Sequence, residues 1–178
     1  MGGNMSKRIV RAANICGILF SVCLYINPLN SFAQQQLNLG PLPGVGQVPE
    51  YLVPGNGQGF AGLATFYMNQ PVIFYDNVWV QKMGGIGSAG FRFLRAHEYA
   101  HHARGHALIR LNSPPQMLPI LGYQEELDAD CTAVKYLKQV GDMAAVQAGF
   151  QIYNSVLPPQ DTGGRPGAVA RTNTMNNC

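Results

Sequence analysis

The chain has 178 residues, 47% of them hydrophobic, which suits one domain with a sizeable core. Its formal net charge of +3 includes Lys7, Arg8 and Arg11 of a segment 1–33 that holds no acidic residue, so a chain beginning at residue 34 is neutral. A neutral chain has little long-range field for phosphates, which argues against a nucleic-acid partner.

Residues 1–33 have the layout of a secretory signal peptide. The three basic residues precede an uncharged apolar run, 15–26, and Ser31-Phe32-Ala33 supplies small residues for cleavage after Ala33. The run is short of the roughly 20 residues of a membrane span, so membrane contact is expected only if the segment stays attached. Neither Cys16 nor Cys23 follows the small residue that a lipoprotein signal needs. A periplasmic or secreted location follows. Cys131 and Cys178 would remain in the exported chain, either as a disulfide tying down the C-terminus or as two unrelated thiols.

Residues 34–59 are dense in Pro, Gly and Gln, with no helical or strand periodicity. They read as an extended arm leading to a domain over 60–178. Residues 63–68 and 72–75 are rich in aromatic and β-branched types and read as strands, with Trp79 and Val80 as an extension of the second. Residues 84–90 form a glycine-rich loop without the Gly-Lys-Ser/Thr of a phosphate loop. Helical spacing follows over 91–106, with Gly105 near its end. Ser113-Pro114-Pro115 breaks the chain. A second helix is expected over 121–140, and a third over 143–156 with Asp142 as its cap. The Gly- and Asn-rich tail, 160–178, reads as a surface loop. The fold class is α+β: a small mixed or antiparallel sheet on about three helices.

All four histidines, His97, His101, His102 and His106, are crowded into the first predicted helix. Each helical residue turns by about 100°, so His97 and His101 lie on one face, where two imidazoles one turn apart can reach one ion. Zinc accepts such nitrogens, and Glu98 can reach zinc-activated water without binding the metal. The chemistry is hydrolysis of a peptide or related amide. The plain alternative is a solvated helix with coincidental histidines. His102 and His106 project away from the pair; the first is expected to face solvent or a loop, the second to be structural.

A third ligand is needed, and a carboxylate of the second helix is the best candidate. Glu126 and Asp130 are four apart and share a face, so Glu126 would bind zinc and Asp130 would hydrogen-bond a ligand histidine. Glu125 competes but has Ala129 as its partner four residues on. Read alone, these carboxylates could instead mark an exposed helix start. Tyr99 and Tyr123 could line a cleft or belong to the core.

The pattern His97-Glu98-x-x-His101-x-x-x-x-His106, followed by Glu126-x-x-Ala129-Asp130, resembles the gluzincin metallopeptidases. It is most similar to the group containing the heat-shock membrane protease HtpX and the CaaX prenyl protease. The resemblance covers roughly residues 62–140. It implies a zincin-like fold, Glu126 as third ligand, Glu98 as base, and a strand before the helix (64–68 or 72–75) that binds peptide or protein substrate in extended form. Family members often carry a transition-state histidine or arginine after the glutamate helix. No histidine follows His106, so Arg171 and Arg165 are the candidates here, with Tyr153 a weaker one. The expected function is a zinc metalloendopeptidase. A non-catalytic metal- or peptide-binding module and an amidase acting on cell-wall peptides are the alternatives.

Overall fold

The computed structural model describes residues 34–42 and 46–178. The signal-peptide reading of 1–33 lies outside them. Among the described residues no helix is long and apolar enough to cross a membrane.

The architecture is α+β. Strands β1 (Gln35–Leu37), β2 (Glu50–Val53), β3 (Gly62–Tyr67) and β4 (Gln70–Asp76) form a mixed sheet in the order β1-β2-β4-β3. The β1/β2 and β3/β4 pairs are antiparallel, and β2/β4 is parallel. Met68 and Asn69, both at positive φ, make the two-residue turn between β3 and β4. Pro71 sits in β4 beyond the stretch paired with β2, where its missing N–H costs no ladder bond.

The helices are α1 (Asn77–Lys82), α2 (Ala89–Ala103), α3 (His106–Asn112), α4 (Leu118–Gln139), α5 (Met143–Val156) and α6 (Ala168–Asn176). Three of them depart from the sequence reading. Trp79 and Val80 belong to α1 instead of a strand, because the Asp76 carboxylate accepts from the N–H groups of Val78 and Trp79 and caps a helix there. The predicted helix over 91–106 is two: Gly105, at φ 74°, ends α2 and lets α3 restart at His106. The tail is not only loop, since Ala168, Arg171 and Met175 give α6 a buried stripe. Cys131 and Cys178 form a disulfide that fastens the end of the chain to α4.

The arm is also corrected. Residues 34–59 supply β1 and β2, and Leu37, Val48 and Glu50 are buried. These strands, of three and four residues, are too short to show a period, and the Pro- and Gly-rich stretches around them hide them.

Helix α2 is the middle layer. One face packs Phe91, Leu94 and Tyr99 against Ile73 and Tyr75 of the sheet. The other packs Phe93 and Ala96 against Val134 and Leu137 of α4, Val146 of α5 and Met175 of α6. Ser88 caps its start by accepting from the Phe91 N–H. The sheet side is pinned by Glu50, whose carboxylate accepts from Tyr75 Oη (2.8 Å), Tyr99 Oη (2.9 Å) and Arg95 Nη2 (2.7 Å). Removing one member of such a buried pair strands the other's charge. Glu50→Ala is therefore expected to cost about 3–5 kcal/mol in urea unfolding. A loss below about 1 kcal/mol, the range of an exposed pair, would show that the arm is no part of the folded unit.

Candidate metal centre

His97, Glu98 and His101 lie on α2, and α4 crosses beside them with Glu126 and Asp130. Ala129 and Ala133 are fully buried at this crossing, and their small side chains let the two helices approach closely. His97 Nε2 and His101 Nε2 are 3.1 Å apart. Glu126 Oε2 is 3.3 Å from the first and Glu126 Oε1 3.6 Å from the second. These three side chains could hold a metal ion. Donors bound tetrahedrally at about 2.0–2.1 Å stand roughly 3.3–3.4 Å from one another, so the observed triangle has the right size. Both histidines are buried, whereas the Glu126 side chain is 26% exposed, so the centre opens on the Glu126 side.

The backing of the ligands follows the sequence reading in part. Asp130 is wholly buried, and its Oδ1 lies 2.9 Å from His97 Nδ1, although off the line of the ring N–H. Arg171 of α6 grips Asp130 through Nε (2.7 Å) and Nη2 (2.8 Å), and donates to Tyr153 Oη at 2.6 Å. Its Nη2 is also 3.2 Å from Glu126 Oε2. Arg171 and Tyr153 thus stand behind Asp130, with Arg171 also reaching Glu126. Arg165 is exposed in a bridge with Thr162.

Glu125, the competitor for Glu126, turns instead to Arg110 of α3, which donates to its Oε2. Arg110 was not singled out in the sequence, where it is one basic residue on a short helix. In the structure its Nη2 lies 3.6 Å from Glu126 Oε1, and its side chain is 36% exposed on the open side of the centre. Tyr99 is core and bonds Glu50, and Tyr123 donates to Asp161. His102 is half-buried: its Nε2 is 3.0 Å from the Val72 carbonyl, and its ring meets Phe66 edge-on. His106 is buried against His101, a contact that arises from the reversal at Gly105 and not from helical spacing.

Glu98 accepts from the Ala64 N–H of β3 at 2.8 Å. A β-carbon on Gly62 would stand 2.5 Å from Glu98 Oε1, so the strand can pass this close only because residue 62 is glycine. Strand β3 is one edge of the sheet, β1 being the other. The bond from Asp76 N–H to the Ala61 carbonyl sets the alternation, which turns the backbone groups of Gly62, Ala64 and Phe66 away from β4.

The chain matches no family model, no curated protein and no solved structure.

The charges at the centre are strongly coupled. Burial, the largest influence on His97, disfavours its charge, but Asp130 and Glu126 outweigh it and push it up to about 10. Burial and the neighbouring His97 charge hold His101 well below its ordinary range. Burial works to raise Glu126, yet the His97 hydrogen bond and charge keep it ionised, well below the usual carboxylate range. Burial pushes Glu98 up to about 7.

A cation seated between these three donors would replace the proton on His97. Below pH 10 that proton has to leave, so metal affinity should rise with pH, with one proton released per ion through the neutral range. Calorimetry in buffers of different ionisation enthalpy reads that proton. Glu126→Ala should abolish tight binding. PH-independent affinity, or full binding by Glu126→Ala, would contradict this ligand set.

Proposed function

We propose that this protein is a secreted or periplasmic zinc-dependent metallopeptidase of the gluzincin type, resembling the HtpX and CaaX prenyl protease group. The observation that carries the reading is the triangle of His97, His101 and Glu126 donors with Glu98 next to it. The donor set of two imidazoles and one carboxylate is one that zinc accepts, and it leaves a fourth position open, as hydrolytic centres do. The disulfide between Cys131 and Cys178 supports export to an oxidising compartment. The zincin-like reading of the fold is supported by an edge strand running beside the helix that bears His97–His101.

Bound zinc would polarise a substrate carbonyl and make water acidic enough to react near neutral pH. Glu98 takes the proton from that water and returns it to the leaving amine. Its raised pKa, about 7, suits a base that must also act as an acid. The open edge of β3 would pair with an extended peptide, with the backbone of Gly62 and Phe66 flanking Ala64. Strand β4 cannot do this, being paired on both sides. Arg171, engaged with Asp130 and Tyr153, would hold ligands in place instead of meeting substrate directly. Arg110, on the open side, is the better placed cation for a developing oxyanion.

One observation favours a non-catalytic, peptide-binding module: the Ala64 N–H already uses Glu98 Oε2 as a fastener. Activity measurements separate the two. Glu98→Gln should keep one zinc per chain and lose hydrolysis by about 10²–10⁴-fold. Gly62→Ala should also keep zinc but lower kcat, because the new methyl displaces the Glu98 carboxylate. In the wild type, protonation of Glu98 removes the base, so kcat/KM should fall as the pH is lowered, approaching about tenfold per pH unit on the acid side. A zinc-loaded wild type that hydrolyses no peptide, or a Glu98→Gln variant as active as wild type, would defeat the enzyme reading.

A further inference from the structure

Two polar groups at the centre have no part in the hydrolytic scheme: His106, buried at 5% exposure, and Asp128. They lie in line behind one ligand. His101 Nδ1 is 3.0 Å from His106 Nδ1, and His106 Nε2 is 3.0 Å from Asp128 Oδ2. The Nε of Arg104, the residue that closes α2, donates to the same Oδ2 at 2.7 Å.

We propose that His106 and Asp128 form a positioning relay for His101, extending the metal centre beyond His97, His101 and Glu126. This rests on the metal-binding reading above. The order of hydrogens follows from chemistry. A carboxylate only accepts, so the hydrogen between His106 and Asp128 sits on His106 Nε2. His106 Nδ1 then carries a lone pair and accepts from the Nδ1–H of His101. His101 is left with its Nε2 lone pair directed at His97 Nε2 and Glu126, where an ion would sit. One carboxylate thus sets two tautomers in sequence.

The two ligand histidines are therefore held differently. His97 is backed by Asp130, which Arg171 grips. His101 lies near the end of α2, and the partner of its Nδ1 is not a carboxylate. An imidazole stands there instead, delivered by Gly105, whose φ of 74° turns the chain back so that the first residue of α3 meets the helix just finished. The rings of His101 and His106 are 5.0 Å apart between centroids at 72°, an edge-to-face packing that resists rotation of either. Without His106, the buried Nδ1–H of His101 would lose its partner and the ring its orientation.

The test uses the full chain with Co²⁺ as a visible-band probe and Zn²⁺ in competition. Wild type, His106→Ala, His106→Gln and Asp128→Ala are compared. His106→Ala should weaken Co²⁺ binding by about 10–100-fold and alter the ligand-field bands. Asp128→Ala should weaken it in the same direction. His106→Gln should recover most of the loss, because its amide offers an acceptor to His101 and a donor to Asp128. If wild type binds cobalt and the folded Ala variants bind it within about twofold with an unchanged spectrum, the relay is wrong and the metal centre stands. If wild type binds no metal, both readings fall. Should His106→Ala fail to fold by circular dichroism, Asp128→Ala decides alone, since its partly exposed carboxylate leaves no core cavity.

Discussion

Helix α2 is buried on both faces while carrying Arg95, His97, Glu98, Tyr99 and His101, and a dry interior tolerates such groups only when each finds a partner. The rest of the fold is arranged to provide those partners. Glu50 of β2 serves Arg95 and Tyr99, the Ala64 N–H of β3 serves Glu98, Asp130 of α4 serves His97, and His106 of α3 serves His101. Strands β2 and β3 and helices α3 and α4 each contribute one such polar group. That is why a chain with so modest a sheet and such short strands can still enclose this cluster of polar side chains.

The charge balance around α2 has a direction. Glu125, Glu126, Asp128 and Asp130 face the guanidinium groups of Arg104, Arg110 and Arg171, one carboxylate more than there are guanidiniums. The arginines also partition the carboxylates: Arg171 occupies Asp130 and Arg110 occupies Glu125, and Glu126 keeps only longer contacts with both. Glu126 is thus the acid left available to a metal. The placement of Arg171 depends on α6, which the Cys131–Cys178 disulfide holds against α4 one residue from Asp130.

What could be read from the sequence was what depends on helical spacing. The His97/His101 and Glu126/Asp130 pairs each repeat after four residues, and the structure brings them together across one crossing. The helix capped by Asp142 spans 143–156 as expected for the same local reason. What was not legible depended on tertiary partners. The buried Glu50 gives no signal in a Pro- and Gly-rich stretch, because its value lies in Arg95, Tyr75 and Tyr99 far along the chain. Asp76 was overlooked as a helix cap because a strand leads into it. His106 stands at the end of the helix expected over 91–106, projecting away from the pair, and Arg110 lies beyond it; only the left-handed Gly105 turns both back toward His101 and Glu126. The buried stripe of α6 was hidden by the polar composition around it.

X-ray absorption at the zinc edge on the purified, zinc-loaded protein tests the central claim most directly. The account predicts one zinc per chain, two imidazole nitrogens and carboxylate oxygen in the first shell at about 2.0–2.2 Å, and no sulfur. Zinc bound through sulfur, or a shell lacking paired imidazoles, would place the metal elsewhere and contradict the reading of His97, His101 and Glu126 as its ligands.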